Sequence, residues 1–128
     1  MAIAINVAAR TAAMEAMCGS MTTLTLYTGT RPASVDLAPT GTELVTFTMP
    51  AFVAVDGQVW LPAPVVGTPI DTGTATWGRW SNGAGAQNPM WIDGDVATSA
   101  SDFNISDTSI VTATPVTLNS LRLTMPSE

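Results

Sequence analysis

Thr23-Leu24-Thr25-Leu26-Tyr27 alternates without a break, and this stretch decides the fold class. Period-two alternation puts Leu24 and Leu26 on one face and the threonines on the other, as a half-buried strand requires. The next segment, Thr28 to Ser34, contains Gly29 and Pro32 and reads as a loop, because proline donates nothing to a ladder and glycine frees the backbone. Residues 42–49 resume the alternation, with Val45, Phe47 and Met49 on one side and Leu44, Thr46 and Thr48 on the other. Pro50 ends that strand.

Further along, Phe52 to Val55 and Gln58 to Leu61 flank Asp56-Gly57. A two-residue type I′ turn needs positive φ at both central positions, so Asp-Gly predicts a tight hairpin here. Residues 62–72 hold three prolines and read as a crossing connection or an edge segment. Thr74 to Trp80 reads as a strand, Ser81 to Ala86 as a small polar loop, and Met90-Trp91-Ile92 as a strand entering a second Asp-Gly turn at Asp93-Gly94. Short strands are expected near Phe103 to Ile105 and Ser109 to Thr112. In the last segment Val116 and Leu118 share one parity while Leu121, Leu123 and Met125 share the other. One strand with a single buried face cannot satisfy both sets, so a bulge or bend is predicted near Asn119-Ser120.

Upstream of the alternation, residues 6–18 read as the one convincing helix, with Asn6 as cap, an Ala- and Met-rich interior, and Gly19 where a left-handed terminator belongs. Alanine on nearly every side gives this helix little apolar area, so it must lie against the β-domain or a neighbouring subunit. Following it, about seven or eight short strands at regular spacing suggest a sandwich or barrel. The expected fold is mainly β, an antiparallel β-sandwich or jelly-roll-like domain with one short N-terminal α-helix. Residues 1–22 form the helix or arm and 23–128 the β-domain, within a length that fits one domain.

Hydrophobic residues make up 46% of the chain and charged ones 11%, which describes a packed protein with a weakly charged surface. The net charge is −6, and the four cations are all arginine, so nucleic acid is not an expected partner. The lone Cys18 cannot close an internal disulfide and reads as a small buried apolar residue. The apolar run from Met1 to Ala9 has its first cation, Arg10, behind it rather than in front, unlike a secretory signal. No stretch approaches the ~20 apolar residues of a membrane span, so a soluble chain made in the cytoplasm, with no membrane partner, is expected.

Histidine and lysine are both absent, which removes the common bases, the usual zinc ligands and the Schiff-base nucleophile. A carboxylate pair, Asp93 with Asp95 or Asp102 with Asp107, is the chemistry left. Each of these sits among turn-forming residues, where aspartate bonds to its own backbone. Asp93-Gly94-Asp95 also has a calcium-like spacing, but without a twelve-residue loop ending in glutamate. No catalytic residue, cofactor or metal is therefore expected. Trp60, Trp77, Trp80 and Trp91 lie in or beside strands, and Trp77 and Trp80 differ in parity. Two or three would be core and the rest interface, where Trp and Arg are favoured. The competing reading is a sugar platform on a carbohydrate-binding β-sandwich module.

Leu24-Thr25-Leu26-Tyr27-Thr28-Gly29-Thr30-Arg31-Pro32-Ala33, Thr40-Gly41-Thr42-Glu43-Leu44 and Thr74-Ala75-Thr76-Trp77-Gly78-Arg79-Trp80, behind an Ala-rich helix, resemble a group of small structural proteins of tailed phages and prophages. The resemblance runs from about Ala2 to Pro126 and contains no catalytic signature. It implies a virion component: a capsid decoration or cement protein on the outer surface of the head, with a neck or tail protein as the alternative. It further implies a β-sandwich or jelly-roll that is often trimeric, with the major capsid protein as partner. Exposure logic places contacts at Thr28, Gly29, Arg31 and Pro32, at Trp77, Arg79 and Trp80, and at Met14 and Met17 of the helix.

Overall fold

The alternating stretch forms β1 (Thr23–Tyr27), with Leu24 and Leu26 wholly buried and Thr25 half-buried on the opposite face. The structure, a computed structural model, describes residues 6–19, 21–34, 36–83 and 89–124. Residues 1–5 of the apolar N-terminal run, 84–86 of the predicted loop, and Met125 lie outside the described residues. After α1 (Val7–Cys18) and β1 come β2 (Glu43–Thr48), β3 (Val53–Val55), β4 (Gln58–Trp60), β5 (Val65–Gly67) and β6 (Gly73–Thr74). Then follow β7 (Trp77–Ser81), β8 (Trp91–Ala97), β9 (Phe103–Ile105), β10 (Ser109–Ile110) and β11 (Val116–Thr124).

One curled sheet runs in the order β2-β1-β7-β8-β9-β11-β4-β3, with β5 also paired to β11, while β6 and β10 form a separate two-stranded ribbon. Pairing is antiparallel except between β8 and β9. The curl brings β5 over β2 so closely that a Cβ on Gly67 would lie 2.9 Å from Val45 Cγ2 and 3.0 Å from the Phe47 ring. Leu24, Leu26, Phe47, Trp80, Ile105 and Leu118 fill the inside of this half-barrel. The result is a mainly β, sandwich-like domain with one short helix, as the alternation predicts.

The Asp56-Gly57 hairpin is present, with φ of 54° and 74° and Val55 paired to Gln58. A register shift between Leu118 and Ser120 supplies the predicted bulge and turns both Leu118 and Leu121 inward. The helix is capped by Asn6, whose side chain accepts from the Ala9 N–H at 2.9 Å. It docks on its own chain's hairpin, where the Gly57 N–H donates to Thr11 Oγ1 at 2.7 Å, and it buries Met14 and Cys18 one turn apart.

Four local expectations are corrected. Gly19 ends the helix at φ −62°, in the right-handed region, bonding to the Glu15 carbonyl without a left-handed turn. The strand over residues 42–49 carries a bulge: Leu26 opposes Val45 and Tyr27 opposes Glu43, so Leu44 is the extra residue and is buried beside Val45. The segment from Thr74 to Trp80 is split, because the Ala75 N–H bonds to Thr108 and the Thr76 N–H to Tyr27, which draws the chain from one sheet to the other. Asp93-Gly94 makes no turn, and β8 runs straight through it.

Candidate functional site

β1, β2, β7 and β8 lie side by side with Thr46 opposite Thr25, Thr25 opposite Arg79, and Arg79 opposite Asp93. The same register aligns Thr23 with Ser81 and Ser81 with Trp91, and Tyr27 with Trp77 and Trp77 with Asp95. All these side chains share the face of the sheet turned away from the main core. A second, smaller packed layer is built on it.

Residues 28–34 and 36–42 form a strap across this layer. Its neck is closed by the Thr28 N–H donating to the Thr42 carbonyl at 3.1 Å and the Thr42 N–H donating to Thr28 Oγ1 at 2.8 Å. The Trp77 indole N–H donates to the Thr28 carbonyl at 3.3 Å, the Thr76 hydroxyl to the Gly29 carbonyl, and Arg79 Nη2 to the Leu37 carbonyl at 2.9 Å. Arg31 reaches Asp95 at 3.6 Å. Under the strap Tyr27 stacks on Trp77 with ring centroids 4.5 Å apart, and the Arg79 guanidinium lies 5.7 Å from the Trp77 ring and 5.1 Å from the Trp91 ring. Burial, and then the nearby Glu43 and Asp93 carboxylates, hold the Tyr27 phenol above its ordinary pKa against the opposing pull of Arg79.

Beside the strap, the threonine face opens into a groove of about 470 Å³. Its floor is Thr23, Thr25 and Thr46, with Glu43 at one end and Met90 and Trp91 at the other. Thr25 and Thr46 hydroxyls are 3.3 Å apart, and the Thr46 hydroxyl donates to Glu43 Oε1 at 3.2 Å.

The nine expected contact residues separate into distinct places. Thr28, Gly29, Arg31 and Pro32 come together on the strap, as one segment at or near the surface. Trp77 and Arg79 lie beneath it, and Trp80 points to the main core, where it meets Phe52 with centroids 4.5 Å apart. The expectation that Trp77, Arg79 and Trp80 form an exposed contact patch is therefore corrected: β7 is central in the sheet and is covered on both faces, by the main core and by the strap. Met14 is likewise corrected, since it is buried in the core. Met17 is half-buried and shares a surface depression of about 320 Å³ with Met90 and Trp91.

Asp93 and Asp95 are corrected from turn formers to ion-pair partners of Arg79 and Arg31. Asp107 does accept from the nearby Ser109 N–H, as a turn aspartate does, and Asp102 accepts from the Asp95 N–H where the chain loops between the parallel strands. No group of three metal-binding side chains occurs among the described residues. Burial raises the Cys18 thiol to about 11. No described helix is long and apolar enough to cross a membrane. Glu43, Thr46 and Trp91 were not singled out together by spacing, although equal parity of Thr23 and Thr25 with each other, and of Thr46 and Thr48, was the available signal for a hydroxyl-bearing face. Comparison with protein-family models, curated proteins and solved structures finds no match.

Proposed function

We propose that the chain is a structural component of a tailed-phage virion, a capsid decoration protein that binds major capsid subunits and stabilises the head. The observation that carries this reading is an apolar, charge-poor surface at one end of the half-barrel. Val66, Ile70 and Val111 are 63%, 68% and 50% exposed. Their segments are tied together, as the Ala113 N–H donates to the Pro69 carbonyl and the Thr72 and Thr112 hydroxyls lie 3.0 Å apart. Across residues 66–72 and 111–115 the one charged side chain is Asp71. Large aliphatic side chains set among threonine and proline suit a contact with another protein, since there is little charge to desolvate.

The phage-like sequence motifs, the lack of imidazole and amine groups, and the strap's rigid anchoring support the same reading. On this proposal the protein sits on the outer capsid surface as a homo-oligomer, a trimer. Quantitative mass spectrometry of purified particles tests it. The proposal expects a copy number in fixed ratio to the major capsid protein, and Val66→Asp with Ile70→Asp should abolish incorporation without unfolding the free protein. A few copies per particle would assign it to the neck or tail instead, and absence from particles would overturn it.

A further inference from the structure

We infer that the threonine-floored groove is a binding site for a neutral oligosaccharide, with the Trp91 ring as the surface on which a pyranose stacks and with Thr25, Thr46 and Glu43 as partners for its hydroxyls. The site is separate from the apolar end used above, and the inference does not depend on a virion location. Crossing from β2 to β8 takes three strand spacings, on the order of 14 Å, which suits a short oligosaccharide better than a single ring. At one end Trp91 is half-buried and is set by the Arg79 guanidinium 5.1 Å from its centroid. At the other, Thr25 donates to Thr46 and Thr46 to Glu43, which leaves the lone pairs of these oxygens to accept from sugar hydroxyls. A pyranose fits this pairing of an aromatic face for its C–H surface and acceptors for the hydroxyls along its edge.

The competing ligand classes fit less well. An anion would look for a cation, but the Arg79 guanidinium is bound by Asp93 and by the Leu37 carbonyl, Glu43 is acidic, and the chain carries −6 overall. An extended peptide added as a strand would need unpaired backbone groups, but β1 is paired on both edges by β2 and β7, β7 on both by β1 and β8, and on the edge strand β2 the Leu44 carbonyl already accepts from the Ile70 N–H at 2.8 Å. A purely apolar ligand would leave the threonine hydroxyls and Glu43 without water.

The test uses the isolated full-length protein on an array of neutral and sialylated oligosaccharides, followed by calorimetry and tryptophan fluorescence with the best neutral trisaccharide. Saturable binding of a neutral trisaccharide is expected, with a change in Trp emission. Glu43→Gln and Thr46→Val should each weaken it about 10-fold, the cost of one hydrogen bond to a polar or charged partner. Both positions are exposed, so an unchanged thermal midpoint separates lost binding from lost folding. No neutral ligand bound at ~10 mM, equal binding of sialylated ligands, or affinity unaltered in both variants would each overturn the inference. Because no particle is involved, none of these outcomes bears on the capsid proposal.

Discussion

Arg79 and Asp93 stand directly opposite each other on β7 and β8 and close a two-pronged ion pair, Nε to Oδ1 at 2.7 Å and Nη2 to Oδ2 at 2.9 Å, with side chains 9% and 5% exposed. The guanidinium also holds the strap through the Leu37 carbonyl. Removing one partner strands the other charge under the strap. Asp93→Ala is expected to cost about 3–5 kcal/mol in urea unfolding, whereas Arg79→Met combined with Asp93→Leu should recover most of that loss. A single-variant cost near that of a surface substitution would show that water reaches the pair.

No local pattern marks Arg79 and Asp93 as partners, because they are brought together only by the pairing of β7 with β8. β1, the Asp56-Gly57 hairpin and the bulge before Leu121 were legible because each follows from local parity or turn chemistry. Asp93-Gly94 carries the same dipeptide as the true turn, yet its surroundings decide differently. The opposite parity of Trp77 and Trp80 excludes one shared core for all four tryptophans, and with a single covered face the surplus falls at the surface. The strap adds a second cover, and it is recruited by hydrogen bonds from Trp77, Thr76 and Arg79 to backbone carbonyls, which no side-chain pattern encodes. The groove was hidden for a related reason: Glu43 and Trp91 are far apart in sequence and come to line one groove, on either side of β1 and β7, by strand pairing alone.

Gly94 shows why β8 continues where a turn was expected. A Cβ there would lie 2.9 Å from both Asp102 Cβ and the Phe103 ring, so glycine serves the close approach of β9 and its entering loop. Gly94→Ala is expected to destabilise by about 1–3 kcal/mol, the range for overpacking, and Gly78→Ala, whose Cβ would meet Leu26 Cδ2 at 2.9 Å, by a similar amount. Chemical denaturation of the two variants checks this, and unchanged midpoints would mean that the β8 to β9 packing relaxes freely.

The hairpin turn anchors the helix. At Gly57, with φ 74°, a Cβ would lie 3.0 Å from Arg10 Nε and 3.1 Å from Arg10 Cβ, while its N–H is held by Thr11 Oγ1. Gly57→Ala combines backbone strain with this crowding and should cost about 1–2 kcal/mol. Thr11→Val leaves a partly buried N–H without its acceptor, at about 1–3 kcal/mol. A helix of twelve residues is marginal by itself, so both variants should raise amide exchange in α1 before the sheet opens. Exchange that rises equally in β1 and α1 would argue that helix and sheet unfold as one unit.

Cys18 gives the stability a defined alkaline limit. Burial lifts its thiol from 9.0 to about 11, so between these values the unfolded chain has lost a proton that the folded chain still holds. With fewer protons bound in the unfolded state, stability falls as pH rises through that window, by about 2–3 kcal/mol for a shift of this size. The half-buried Tyr27 phenol, also raised above its ordinary 10.0, adds a loss of the same sign at higher pH. Below pH 8 the thiol should be inert to alkylating reagents in the folded protein, since the reactive thiolate is suppressed. Urea midpoints at pH 8, 9, 10 and 11 for the natural protein and for Cys18→Ala separate the two groups: the variant should lose the slope that begins near pH 9 and keep the Tyr27 part above 10. Identical slopes in both proteins would assign the alkaline loss to groups other than the buried thiol.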